Sequence, residues 1–569
     1  MELDLLLISP PYWDFYSPFL ALPSLSGFLR SKGFAVRQLD LNIVHFNRMI
    51  DKQGYAILKE LQNNDVYDGL DTAYKNVFKA NDAKEFTRKS AFIQPGQLSG
   101  QFLKKNFYQF TLDEINFLDG IFHYIYFNQL YKKNYWNKLM EFELDSIMEE
   151  VSSELLTDTL LGNECMTLIQ QGLRLIGFSS TSFDQFIVSC IYARMIKRIH
   201  PEVKIIFGGS YIPVLVKTVR PDKQKKIFDL CDYIVNGEGE TALELIIQYT
   251  SKGQGELADI PNLCFMDPSG QVVHNAAKFE NFQQLPEPDF NDLDFELYLM
   301  PEIMLPYQSS RGCFWGHCTF CDHDANYRYN FRSKTAETVV ENLAALKKKY
   351  NNQHIQFVDE AIKPEKLKEI VAEMEARELN SLDWMYYSRI SGEYTDDLVQ
   401  RARALGCRLV LFGVETFNLR LIKMIRKGIS EKNISKNLSM FSKFGIKNII
   451  WMICGFPSQR EEEIWYDIDK LKENSPNLKG VFAGLYRLER NCDMYSAPEK
   501  FNIIDSDPDN PYIFKSHYNG ELIDQNQIFS LYKQEYAPLV SELSRSHNRY
   551  IIYFRQEEQD EPMERGLSK

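Results

Sequence analysis

Short apolar runs recur along the chain in two series, several of them ending on Gly or Ser, with segments of helical period between them. Such alternation of strand and helix implies parallel sheets with helices packed on their faces. The first series opens with Leu5-Leu6-Leu7-Ile8, which stops at Ser9-Pro10-Pro11. Leu22, Leu25, Phe28 and Leu29 follow at helical spacing, Gly33 sits where the helix would end, and Val36–Leu39 reads as a second strand. The pattern resumes at Leu173–Phe178 before Ser179-Ser180-Thr181-Ser182, at Val203–Phe207 before Gly208-Gly209, and at Tyr233–Val235 before Gly237-Glu238-Gly239-Glu240. Asn262 to His274, broken by Asp267-Pro268-Ser269-Gly270, reads as a β-hairpin. This predicts an α/β fold with a doubly wound, Rossmann-like domain over 1–285. Within it, about 48–170 reads as an aromatic-rich helical insertion without strands, and Pro286-Glu287-Pro288 with the acidic residues after it reads as a linker.

The second series begins near Met304. Candidate strands are Met304–Gln308, His354–Phe357, Trp384–Tyr387, Arg408–Phe412, Asn448–Met452 and Val481–Leu485. Six such units fit a partial (β/α)6 TIM barrel over 300–490, followed by a C-terminal extension over 491–569 whose acidic run Gln556–Glu561 should be solvated. With 44% hydrophobic and 25% charged residues, whole-chain disorder is excluded. The net charge of −13 argues against broad nucleic-acid binding. No apolar run approaches the ~18 residues needed to span a bilayer, and Met1-Glu2-Leu3-Asp4 is no signal peptide. A cytoplasmic location with reduced thiols is the expectation, so clustered cysteines point to metal or redox chemistry rather than disulfides.

Such a cluster follows the first barrel strand. Cys313, Cys318 and Cys321 lie within Ser310-Arg311-Gly312-Cys313-Phe314-Trp315-Gly316-His317-Cys318-Thr319-Phe320-Cys321, at the strand end where barrel enzymes place their chemistry. Soft thiolates at this spacing suit zinc or an iron–sulfur cluster. A closed zinc site needs a fourth ligand, for which His317 or His323 is available; this would make the chain a zinc-stabilised binding protein. A cubane held by three cysteines instead leaves one iron open. The spacing alone leaves both readings standing.

The segment resembles the cluster loop of radical S-adenosylmethionine (SAM) enzymes, with Phe320 as the aromatic before the last cysteine and a first gap of four residues in place of the more usual three. The resemblance extends along the barrel through Phe357-Val358-Asp359-Glu360, Gly413-Val414-Glu415-Thr416, Lys427-Gly428, Phe444-Gly445-Ile446 and Gly455-Phe456-Pro457. It implies that Cys313, Cys318 and Cys321 are the catalytic metal ligands of a [4Fe-4S] cluster. The open iron would chelate the amine and carboxylate of SAM, whose reductive cleavage gives a 5′-deoxyadenosyl radical. It further implies that Asp359 or Glu360 pairs the methionine ammonium, that Gly413 and Glu415 meet the ribose, and that Gly455 lies near the adenine. Ser388 and Arg389, past the third barrel strand, are candidates for the methionine carboxylate; a surface ion pair is the other reading of Arg389.

In the first series Ile-Ser-Pro-Pro, Gly-Phe-Ser-Ser, Phe-Gly-Gly-Ser and Asn-Gly-Glu-Gly-Glu-Thr resemble the cobalamin-binding domain that precedes many radical SAM barrels, over residues 1–40 and 170–250. No Asp-x-His-x-x-Gly occurs. The resemblance therefore implies base-off cobalamin without a histidine ligand, its nucleotide tail near Ser180, Thr181, Gly208, Gly209 and Gly237, with Pro10 and Glu238 alongside. The expected function is C-methylation of an unactivated carbon in a natural-product or peptide substrate, served by a reductase, flavodoxin or ferredoxin. Ring formation or rearrangement without methyl transfer is the alternative. The other seven cysteines are scattered; Cys454, at a strand end facing the expected site, is the one to watch, a small buried hydrophobe being its favoured reading, and Tyr486, Arg487 and Glu489 are substrate-side candidates.

Overall fold

A computed structural model describes residues 3–63, 66–67, 75, 78, 80, 82–94, 97–130, 164–218, 221–322, 330–507, 513–544 and 549–554. His323, the acidic run Gln556–Glu561 and part of the 48–170 block lie outside the described residues.

The N-terminal sheet contains β1 (Leu5–Ser9), β2 (Val36–Asp40), β3 (Leu175–Ser179), β4 (Lys204–Gly208), β5 (Tyr233–Val235), β6 (Leu263–Met266) and β7 (Val272–His274). Their order is β2-β1-β3-β4-β5-β6-β7. The first five are parallel and the last two form the antiparallel hairpin on β5. All five residues of β1 and of β3 are buried, as expected of strands covered on both faces, which is why they read as unbroken apolar runs. The strand order reverses between β1 and β3, so Ser9 and Ser179 flank the crevice where doubly wound sheets take ligands. Beside it Gly209 adopts φ +101°, and a methyl group there would come within 2.2 Å of the Ser180 carbonyl oxygen.

The block after β2 is helical wherever it is described, including Leu41–Met49, Ala83–Lys89, Gly100–Asn106 and Leu112–Leu130. Rings join it to the sheet: Phe15 stacks on Phe46 at 4.3 Å, and Phe122 meets Phe46 edge-on at 5.5 Å.

The barrel is built from β8 (Leu305–Tyr307), then, after the small antiparallel pair β9 (Ser310–Arg311) and β10 (Arg332–Ser333), β11 (His354–Phe357), β12 (Asp383–Arg389), β13 (Cys407–Glu415), β14 (Lys447–Cys454) and β15 (Gly480–Leu485). All six barrel strands are parallel, in the order β15-β14-β13-β12-β11-β8, so the barrel stays open between β15 and β8. Along β14, Asn448 donates to the carbonyls of Leu438 and Asn477 on the helical side. Side chains alternate along a strand, so Lys447, Ile449, Trp451 and Ile453 face the barrel interior.

The chain after the barrel does more than trail into solvent. Beyond the strands β16 (Ile503–Ser506), β17 (Phe514–Tyr518) and β18 (Glu521–Leu522), the helices from Gln525 to Leu543 cover the β15 edge. There the Ser544 hydroxyl bonds both the N–H and the carbonyl of Val481, and the Tyr532 hydroxyl donates to the Ala483 carbonyl. Helix Arg549–Phe554 closes the strand-start end of the interior. Lys447 donates to the Ile552 carbonyl at 2.7 Å, and the Tyr550 hydroxyl donates to Gln356 at 2.8 Å. The tyrosines of the tail thus cover the β15 edge and close one end of the barrel, their hydroxyl groups satisfying strand polar atoms.

The segment after Pro286-Glu287-Pro288 is pinned to both halves of the molecule. Asp289 pairs with Arg30 at 2.9 Å on one side and with Lys349 at 3.1 Å on the other, and Tyr350 donates to it as well. Its N–H donates to the Pro23 carbonyl. Among the described residues no helix is long and apolar enough to cross a membrane.

Gly209→Ala should cost roughly 3 kcal/mol of stability, since it adds a clash to a left-handed backbone. Urea unfolding measures this; an unchanged midpoint would show that the crevice turn relaxes freely.

Candidate active site

The C-terminal ends of the barrel strands carry the residues that the sequence singles out. The cysteine loop leaves β9 through Gly312 and is held down by its own backbone. The N–H of Thr319 donates to the Ile425 carbonyl, its hydroxyl to the Met424 carbonyl, and its carbonyl accepts from the Met494 N–H. The Trp315 indole donates to the Arg426 carbonyl at 2.8 Å, and its ring lies against Gly428.

Cys313, Cys318 and Cys321 are half-buried free thiols, near enough to one another to interact electrostatically. Burial pushes the Cys318 thiol up to about 11, against the pull of the Lys427 and Arg389 cations. Among the described residues no three His, Cys, Asp or Glu side chains gather tightly enough to hold a single metal ion. His317 is exposed and meets Trp315 edge-on at 5.3 Å.

Two buried cations stand beside the thiols. Arg389 is no surface ion pair: it is 9% exposed, and its guanidinium lies 4.0 Å from the Trp315 ring centre and 5.7 Å from that of Phe314. It donates to the Lys427 carbonyl, while its Nε has no hydrogen-bond partner. Burial lowers its pKa, and the thiols of Cys318 and Cys313 act in the opposite direction. Lys427 donates to Glu415 at 2.6 Å and sits 5.8 Å from the Phe320 ring centre. Burial works against its charge, but Glu415 and Cys318 outweigh burial and raise its pKa. The pair fills the space over Gly413, where a methyl group would come within 2.9 Å of both charged atoms.

Glu415 itself adopts φ +67°, at the point where the register between β13 and β14 shifts. A left-handed glutamate is strained, and the residues behind hold it in place. Asp467 accepts from the Thr416 hydroxyl, which lies within reach of both its oxygens, and from the Phe417 N–H.

Other candidates are spoken for differently. Asp359 accepts from the Ser309 N–H, the Ser309 hydroxyl and the Ser310 hydroxyl, so it ties the end of β11 to the root of the cysteine loop. Burial raises its pKa against the pull of those bonds. Glu360 follows at the same strand end, half-buried. The Ser388 hydroxyl donates to the Ile362 carbonyl and pairs with the Tyr394 hydroxyl, away from the cysteines. The Gly455 N–H donates to Gln459. Cys454 is buried near Asp467, on the helical side of β14, its thiol raised far by burial. Tyr486 packs between Phe456 and Phe514, and Arg487 pairs with Glu489 at 3.1 Å.

The sequence reading gave no role to the interior wall. Trp451 is 41% exposed although it sits in the middle of a barrel strand, paired with Gly413 on one side and Phe482 on the other. The two rings lie 4.9 Å apart. A tryptophan at an interior-facing position of an otherwise aliphatic strand was the available signal.

At the N-terminal crevice the Ser9 and Ser179 hydroxyls are buried without hydrogen-bond partners. Pro10 offers its carbonyl to Gln185, which also accepts from the N–H and hydroxyl of Thr181, and the Ser180 hydroxyl pairs with Ser189. Gly208 accepts from the Ser180 N–H, and Gly237 turns at φ +135°. The Glu238 carboxylate is taken up by partners across from β5. Its oxygens accept from Arg332 at 2.7 and 2.9 Å, pair with Arg311 at 3.1 Å and accept from the Glu280 N–H at 2.6 Å. Burial would raise its pKa; the two guanidiniums lower it.

Burial lifts Asp467 to about 7, whereas an unfolded aspartate ionises near ~4. Between those values the folded state holds the extra proton, so this residue's contribution to stability declines as pH rises. The stability difference between the wild type and Asp467→Asn should therefore fall by roughly 1 kcal/mol per pH unit across that window. Urea titrations at several pH values measure it; parallel profiles would refute the assignment.

Residues 307–471 match the Radical SAM superfamily model. The chain is 25% identical over 297 residues to an uncharacterized methyltransferase of Pyrococcus horikoshii, covering 51% of this chain and 62% of the relative. It is 26% identical over 274 residues to 4′-phospho-dehydrooxetanocin synthase of Priestia megaterium, covering 44% of this chain and 35% of the relative. Among solved structures it resembles the cobalamin-dependent SAM radical enzyme OxsB, with a TM-score of 0.58, 15% identity, and coverage of 93% of this chain and 66% of that one. It also resembles the radical SAM methyltransferase TsrM from Kitasatospora setae, with a TM-score of 0.51, 15% identity, and coverage of 86% and 73%. Residues 307–471 therefore belong to the radical SAM superfamily, within a chain that has the fold of its cobalamin-dependent members.

Proposed function

We propose that this protein is a cobalamin-dependent radical SAM enzyme that methylates an unactivated carbon of a small-molecule or peptide substrate. The observation that carries the reading is the meeting of two strand-end faces. Glu238 and Glu240, past the end of β5, contact Arg311 at the root of the cysteine loop. A ligand in the β1/β3 crevice and one on the loop would then be neighbours.

The residues present suit the groups implied. Three neighbouring thiols flanked by two buried cations favour an anionic cluster, and the unpartnered Arg389 Nε awaits an acceptor. The unpartnered Ser9 and Ser179 hydroxyls, with the small residues around them, suit a large ligand rich in polar groups. When bound, the cluster with SAM supplies a 5′-deoxyadenosyl radical and the corrinoid supplies a methyl group.

The chain's own part is binding, orientation and exclusion of water. Cys313, Cys318 and Cys321 hold the cluster. Lys427 holds Glu415 in place, so that its remaining acceptor sites can meet ribose hydroxyls. Arg389 lies beside the thiols with a donor to spare for the methionine carboxylate. Trp451 and Phe482 offer an apolar wall to the substrate, and helix Arg549–Phe554 closes the interior beneath it. The similarity to a synthase whose name does not call it a methyltransferase keeps ring formation or rearrangement as the second reading.

Anaerobic reconstitution with iron and sulfide, followed by hydroxocobalamin titration, tests the cofactors. The wild type should take up about four irons per chain and bind the corrinoid. Cys318→Ala should lose SAM cleavage while still binding the corrinoid. Cleavage by that variant at the parental rate would refute the ligand assignment. A product heavier by one methylene unit supports methylation, and a product without that gain supports the second reading.

A further inference from the structure

The path of the cysteine loop is fixed at both roots, and one of the two anchoring bodies is the N-terminal sheet. Arg311 directly precedes Gly312-Cys313, and Arg332 lies on the returning side of the same excursion. The two arginines face each other in the antiparallel register of β9 and β10. Both reach across to the segment that leaves β5. Arg332 grips Glu238 with two bonds, at 2.7 and 2.9 Å, and donates to the Glu280 carbonyl at 3.0 Å. Arg311 pairs with Glu238 at 3.1 Å and with Glu240. Each guanidinium also covers an aromatic ring of the following segment, Arg311 over Phe282 at 5.0 Å and Arg332 over Phe279 at 4.9 Å.

Glu238 is 8% exposed and Glu240 2% exposed. Buried carboxylates in bidentate contact with arginine fix geometry as well as charge, and removing one partner leaves the other charge buried and uncompensated. On the barrel side the roots have a further support. Asp359 holds Ser309 and Ser310, and the Lys334 N–H donates to the Ser309 carbonyl. The loop therefore has one footing on the barrel and one on the N-terminal sheet.

We propose that Glu238 and Glu240 are positioning residues for the thiolate loop, acting through Arg311 and Arg332, so that the N-terminal sheet helps set the arrangement of Cys313, Cys318 and Cys321. This rests on the reading of those cysteines as cluster ligands. Neither glutamate touches the thiols; each orients the strand pair from which the loop springs. Partners that orient metal ligands from behind typically alter metal affinity 10–100-fold when removed.

The test uses the full chain, reconstituted anaerobically, and compares the wild type with Glu238→Gln, Glu240→Gln and Glu238→Asp. Two readouts are taken: the rate at which a chelator strips iron, and the electron paramagnetic resonance spectrum of the reduced cluster with and without SAM. Glu238→Gln should lose iron roughly tenfold faster. Its resonance with SAM should also be shifted or broadened, at wild-type helix content by circular dichroism. Glu240→Gln should change in the same direction, and Glu238→Asp should recover part of the loss. Should Glu238→Gln fail to fold, Arg332→Gln, which leaves Arg311 to pair with both carboxylates, is read in its place with the same expectation. Wild-type iron-loss rates and an unchanged resonance in the folded variants would overturn the inference while leaving the cluster assignment intact. A wild type that takes up no iron would instead overturn the cluster assignment, and this inference with it.

Discussion

Two buried carboxylates facing two guanidinium groups join the strand ends of one parallel sheet to the root of the cysteine loop on another. Such a contact is expensive to bury and is tolerated only where the geometry is good and the remaining donors are satisfied. Here the two terminal nitrogens of Arg332 are satisfied by Glu238 and the Glu280 carbonyl while its buried Nε is not, and the rings of Phe279 and Phe282 cover the outer faces of the arginines. Because the glutamates lie just past β5 and the arginines flank the loop, the contact sets the end of β5 against the root of the loop, beside the space around its cysteines.

Within that space the fixed charges alternate. Glu415 is paired by Lys427, the Lys427 carbonyl accepts from Arg389, and Arg389 stacks on the Trp315 ring of the cysteine loop. The thiols thus lie against positive charge, and a strained backbone at Glu415 is held by Asp467 from behind. Electrostatics of this kind are set before any ligand arrives, as catalysis of charge-developing steps requires.

The strands were legible because parallel strands covered on both faces must be continuously apolar, and Leu5–Ser9, Leu175–Ser179 and Tyr233–Val235 are short, clean examples. The cysteine trio was legible from spacing and from its place at a strand end. The pairing of Glu238 with Arg332 was not, because it spans 94 positions and nothing local to either residue reveals it. Lys427 shows the same difficulty: a lysine in a loop reads as solvated, and its burial against Glu415 depends on how β13 ends. Trp451 was hidden in another way, since alternation shows which strand face a residue takes but not that the barrel leaves that face uncovered. The tail's aromatic content gave no sign of where it docks, because the contacts of Tyr532 with Ala483 and of Tyr550 with Gln356 are made far along the chain.

The pinned segment around Asp289 has a consequence for traffic. With Arg30 on one flank, Lys349 and Tyr350 on the other, and the Pro23 carbonyl beneath, this crossing is a weld and not a hinge. Parting the halves like a clamshell would tear several charged contacts at once. Access to the space between the two strand-end faces therefore does not come from swinging the halves apart about this crossing.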